Sequence, residues 1–264
     1  MQNSKLDTIK VPANKNPLIQ QTLERLNDNL EVKTLWKVIN VNAIDRLGMT
    51  DHGIVHFQIV ANIGLKIART LEKNNVPLSI VNDFGLTQNH GELVVMLGCL
   101  FHDTGMSISR PNHEEFSLFL TNTLLRELLD FLPVDERTIV ISETLHTIIS
   151  HRKNGQPITI EAGIVRVADA LDMTEGRSRV SHEAGSMSIH SLSHAAIKSV
   201  EILDGDTTPL RIHVSMFNTA GMFQIGELMQ EKLKGSNIEK YVEVVASVDD
   251  AVEKKLMTEF KISF

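Results

Sequence analysis

The stretch from Asn89 to Asp103, "NHGELVVMLGCLFHD", is apolar on nearly every side. A helix with no polar face has no place at a surface and must be wrapped by other elements. The rest of the chain supplies them. Residues 17 to about 175 read as successive helices, because apolar residues recur every three or four positions in "PLIQQTLERLNDNL" and "VKTLWKVINVNAIDRLG". "TDHGIVHFQIVANIGLKIARTLEKN" is long and periodic, with Thr50 or Asp51 placed to cap it. "EEFSLFLTNTLLRELLDFL" and "DERTIVISETLHTIISHR" are amphipathic, and "TIEAGIVRVADALDMTEG" reads from a Thr159 cap to Gly176. After about residue 195 the period changes. "AIKSVEILDG" and "LRIHVSMF" read as strands around a "DGDTTP" turn, "AGMFQIGELMQEKLKGS" as a helix ending near Gly235, and "KYVEVVASV" as another strand. The expected organisation is therefore mainly α. An N-terminal arm (1–16) precedes a helical domain (17–180), a polar, Ser- and His-rich linker (181–194) and a small α+β domain (195–264).

Composition sets further bounds. With 264 residues and 42% hydrophobic content the chain can bury a sizeable core. Its one cysteine, Cys99, lies inside the apolar run, so no disulfide forms within the chain and a reducing, cytoplasmic setting is expected. No apolar run approaches the roughly 20 residues of a membrane span, and the N-terminus has no signal-like apolar segment. A net charge of −7 makes a nucleic-acid partner unexpected. It leaves room for an anionic small substrate, because a bound cation can reverse the local field.

The central helix runs straight into His102-Asp103, with Gly105 expected to end it. Taken alone, the pair is also what a histidine capping its own helix and an aspartate opening a turn would look like. Other residues point further. His52 and His56 are four apart and are expected to share a helix face. Asp169 follows a periodic apolar helix and is expected to face inward, where a carboxylate is costly unless paired or bound to a cation. Two histidines and two aspartates from three helices form a mixed nitrogen and oxygen set suited to Mn, Fe, Zn or similar divalent ions. Structural zinc would more often use cysteines.

The order His56, His102-Asp103, Asp169 resembles the HD superfamily of metal-dependent phosphohydrolases. "HFQIVA" resembles the family's first motif, "CLFHDTGM" its apolar helix into His-Asp-x-Gly, and "RVADALDMT" its last motif. The likeness covers roughly residues 45 to 180. It implies an HD-type helical bundle holding a divalent metal (Mn, Fe, Mg or Zn; one or two ions) on His56, His102, Asp103 and Asp169. Some members, notably the HD-GYP branch, hold further metals on histidines between the His-Asp pair and the last aspartate; His113, His146 and His151 lie in that interval. The chain departs from that branch at Met106, where the family lysine would stand, and in having no GYP triplet. His146 and His151 are five apart, about 140° round a helix, so they need not share a face.

Arg110, Arg177 and Arg179 are the arginines expected to face phosphate, since a guanidinium fork fits phosphate oxygens in two places. His52 and His190 are expected to assist. The implied activity is hydrolysis of a nucleotide or other small phosphoester by metal-activated water, with Asp103 bridging ions or orienting the nucleophile. A non-catalytic metal or ligand sensor with a C-terminal output domain and a di-iron HD-fold oxygenase are the alternatives. A homodimer is expected on base rates alone.

Overall fold

The computed structural model describes residues 8–13, 15–173, 193, 195–248 and 259–262. Helices α1 (Pro17–Asp28), α2 (Leu30–Asn40), α3 (Ile54–Lys73), α4 (Ser79–Phe84), α5 (Gln88–Phe101), α6 (His113–Leu128), α7 (Val134–Ser150) and α8 (Ile160–Ala170) form the first part. A sheet of β1 (Ile197–Asp204), β2 (Leu210–Met216), β3 (Val242–Val248) and β4 (Glu259–Ile262) forms the second. Helix α9 (Met222–Glu227) and a wider π-type coil, Leu228–Leu233, connect β2 to β3.

The apolar run is the centre of the molecule. Every residue from His90 to Phe101 of α5 is buried, and α5 packs on α1, α3, α7 and α8. One continuous core joins these helices to the sheet. Trp36, Phe57 and Phe101 cluster at one end of it, with ring centroids 5.9 and 6.2 Å from Trp36. Phe57 meets the His102 ring edge-on at 5.6 Å. Thr159 caps α8 as expected, its side chain accepting from the Ala162 N–H.

Several local expectations are corrected. The long helix begins after Gly53 rather than at Thr50 or Asp51; Asp51 holds the entry instead, its Oδ1 accepting the Gly53 N–H at 2.6 Å. His52 therefore precedes the helix and does not share a face with His56. The second predicted helix stops at Asn40 and widens into a π coil, Val41–Arg46. The last helix of the bundle ends at Ala170, not Gly176, because the chain must leave the helix for Asp172 to reach His56. Gly105 does not end α5, which stops at Phe101. A side chain at 105 would meet the His113 carbonyl at 2.0 Å and the Ser117 nitrogen at 2.6 Å, so the glycine admits the start of α6. The segment after β2 is not one helix: it passes from α9 into the π coil and ends at Leu233. β1–β2 and β3–β4 are antiparallel, whereas β2–β3 is parallel and needs the helical crossover. The sequence pattern does not announce β4.

Candidate metal centre

The site is built where four helix ends meet. His56 lies in the first turn of α3, His102 and His151 close the C-termini of α5 and α7, and His113 opens α6. All four are nearly inaccessible, between 0% and 5% exposed. The histidines at 102, 113 and 151 share one local device: each Nδ1–H donates to the carbonyl three residues back, Cys99, Arg110 and Ile148, at 2.9, 2.9 and 2.6 Å. A carbonyl can only accept, so the proton is fixed on Nδ1 and each neutral ring presents an Nε2 lone pair. His56 is set the same way by Asp172, whose carboxylate accepts from Nδ1–H at 2.6 Å. His102 thus caps its own helix with one nitrogen and faces the site with the other, which unites the two readings of the sequence.

The lone pairs converge. His56 Nε2 and His102 Nε2 are 3.3 Å apart, and Asp169 Oδ1 is 3.6 Å from each. Two nitrogen lone pairs and a carboxylate facing one point need an electrophile between them. Ligands bound about 2.1 Å from one ion stand roughly 3 to 3.5 Å from each other, so the spacing fits a metal. Asp103 lies between this group and the next. Its Oδ2 is 3.6 Å from His102 Nε2, and its Oδ1 is 2.9 Å from His113 Nε2 and 3.7 Å from His151 Nε2. Three overlapping sets could each hold an ion: His56, His102 and Asp169; His102, Asp103 and His151; His113, Glu114 and His151. The donor chemistry, imidazole and carboxylate without thiolate, fits Mn, Fe or Zn.

The electrostatics follow from burial. Burial would lift the Asp103 carboxyl, but His102, His113 and His52 hold it well below the ordinary carboxylate range. Asp169 is likewise held low against burial, chiefly by Lys232 and then His102. Burial pulls His102 down, yet Asp103 and Asp169 together lift it above an ordinary histidine. His151 is pulled down to about 3 by burial and by its neighbour His102, which keeps it neutral and able to ligate. Burial pushes the Cys99 thiol up, so it is no nucleophile.

His52 stands at the edge, its Nδ1–H donating to the Thr50 carbonyl at 2.7 Å and its Nε2 4.0 Å from Asp103 Oδ2. The Arg110 guanidinium lies 3.1 Å from both ring nitrogens of His113. His146 is not brought to the cluster. It lies on another face of α7, half-buried, and its Nε2 accepts the Ile158 N–H at 3.1 Å; the five-residue step from His151 turns it away. Arg177, Arg179 and His190 lie outside the described residues. Three residues were not foreseen: Asp172, Glu114 and Lys232. Glu114 adjoins His113 and Asp172 stands three positions after Asp169, so both could have been found from the sequence. Lys232 comes from the π coil beyond α9, with Nζ 3.1 Å from Asp169 Oδ2, and nothing near Asp169 in the sequence announces it.

A family model described as "HD domain" matches residues 53–174, the interval holding His56, His102, Asp103, His113, His151 and Asp169. An uncharacterized protein of Methanocaldococcus jannaschii is 38% identical over 240 residues, covering 90% of this chain and 92% of the relative. That likeness extends beyond the family interval into the C-terminal part. No solved structure matches significantly. Among the described residues no helix is long and apolar enough to cross a membrane.

Proposed function

We propose, from the premise that this chain belongs to the HD-domain family, that it is a metal-dependent phosphohydrolase acting on a nucleotide or another small phosphoester. The observation that carries this reading is the convergence of the His56 and His102 Nε2 lone pairs, 3.3 Å apart, with Asp169 Oδ1 3.6 Å from both. His56, His102, Asp103 and Asp169 would hold one divalent ion, and His113, His151 and Asp103 a second. A divalent ion in such a site supplies Lewis acidity, drawing the pKa of water towards ~7 and offsetting charge on phosphoryl oxygens.

The chain's own residues do the rest. Asp103 offers one carboxylate oxygen to each side of the site, so it fixes the spacing of the two positions. Asp172 and the Cys99, Arg110 and Ile148 carbonyls hold the rings in the ligating tautomer. Phe57, buried and packed against the His56 and His102 rings, excludes water beneath them. Arg110 and His52 stand at the rim and would orient the phosphate; Arg177, Arg179 and His190 are proposed to join them.

The test is a screen of the Mn-, Mg- and Fe-loaded protein against nucleotides and small phosphoesters. Phosphate release should be abolished by a chelator and fall at least about a hundredfold in Asp103→Ala, which removes a shared oxygen ligand. Oxygen consumption with a visible di-iron absorption, and no phosphate release, would replace the hydrolase with the oxygenase.

A further inference from the structure

Lys232 presents a physical difficulty. Its ammonium stands 3.1 Å from Asp169 Oδ2 and 3.0 Å from the His151 carbonyl, which it contacts as a donor. It thus touches one residue from each candidate ion position. A fixed positive charge there opposes the binding of a divalent cation. A neutral donor would hold the His151 carbonyl equally well, so the charge itself acts on the Asp169 carboxylate and on whatever else the site binds.

The placement is also enforced. Arg166 of α8 is 3% exposed and donates to four carbonyls. Two belong to the loop after α7, Lys153 at 3.0 Å and Gly155 at 2.5 Å, and two to the π coil, Glu231 at 2.7 Å and Lys232 itself at 3.1 Å. Lys153 and Glu231 add an ion pair across the same seam. Gly163 of α8 lets the chain come close just beyond: a side chain there would meet the Ser236 carbonyl at 2.1 Å. The C-terminal part is thereby pinned to the helix that carries Asp169, with the lysine pointing at the site.

We infer that Lys232 is the phosphate-binding cation of the site, supplied by the C-terminal unit and facing an anion held between the two ion positions. An ammonium group has three donors. Asp169 Oδ2 and the His151 carbonyl take two of the directions, and the side chain keeps 21% of its surface open, so a third N–H is available to a phosphoryl oxygen. The anion would then offset the combined charge of the lysine and the bound cations. The inference rests on the phosphohydrolase reading and names a contact within it.

The two charges predict opposite responses, which a loss of structure does not. The metal-stripped protein is titrated with Mn(II), and the Mn-loaded protein then with inorganic phosphate, each by calorimetry. Lys232→Met should bind Mn(II) as tightly as the wild type or up to about tenfold more tightly, and phosphate about 10- to 100-fold more weakly, the range of a charge-assisted hydrogen bond. Lys232→Arg should restore phosphate binding to within about threefold. Lys232→Gln replaces the Met variant should that fail to fold. Phosphate affinity unchanged in the neutral variants, or Mn(II) and phosphate affinities falling together, overturns the role of Lys232 alone. A wild type that holds Mn(II) yet binds no phosphate overturns the phosphohydrolase reading and this inference with it.

Discussion

His102, His113 and His151 are turned with Nε2 towards the site by contacts on the far side of each ring. A carbonyl three residues back fixes each Nδ1–H, and Asp172 does the same for His56 with a negative charge in addition. Such a partner sets ring orientation and raises ligand basicity, and its removal typically weakens metal binding. Asp172→Asn should therefore weaken Mn(II) binding by about 10- to 100-fold, whereas His146→Ala should leave it within about threefold, as a calorimetric titration of each stripped variant would measure. At this scale the sequence was informative where spacing alone selected residues. His56, His102, Asp103 and Asp169 stood out because polar groups interrupted apolar helices. His146 and His151 could not be separated by sequence, since a five-residue step leaves either one free to face the core. Lys232 was illegible, because only the docking of a distant segment brings it near Asp169.

Among the elements, α7 and α8 carry a burden apart from the site. Glu143 of α7 lies near Glu161 of α8 and Asp83 of α4, and burial followed by those two charges lifts its pKa to about 6. Among the described residues its buried Oε2 has no hydrogen-bond partner. A carboxyl whose folded pKa is raised binds its proton more tightly in the folded state. Its contribution is most favourable below the unfolded value near 4.5 and declines as pH rises through about 6. Glu143→Gln should then raise stability at pH 7.5, by about 1 kcal/mol after discounting for its partial exposure, or roughly 2–4 °C in Tm. The gain should vanish below pH 4.5, and thermal melts of both proteins across that range check it. Element identity was legible for α5 and for the Thr159 cap of α8, because both signals are local. The boundaries near 53 and 170 were not. They are set by Asp51 holding the turn before α3 and by Asp172 reaching back to His56, contacts that periodicity does not encode.

At the scale of the whole molecule, the α+β part shares one core with the helices and places Lys232 against Asp169 and the His151 carbonyl. Arg166, Gly163 and the Lys73 and Asn74 contacts to Asp204 tie it to α8 and α3, and the similarity to the archaeal relative runs through most of it. A sensor with a detached output domain would not need its output segment bonded to Asp169. The sequence showed a change of period near residue 195 but not that the second part would turn back onto the first, since the contacts responsible are Arg166 and scattered carbonyls.

In the proposed site the helix ends gather two adjacent ion positions that share Asp103. Titration of the metal-stripped chain with Mn(II), followed by electron paramagnetic resonance, tests it most directly. The wild type should take up about two ions per chain, the second more weakly, with magnetic coupling as the second position fills. His151→Ala should retain a single uncoupled ion, and Asp103→Ala should lose the tight step. A wild type that binds no Mn(II), or an Asp103→Ala variant with full and coupled metal content, would overturn the two-ion site.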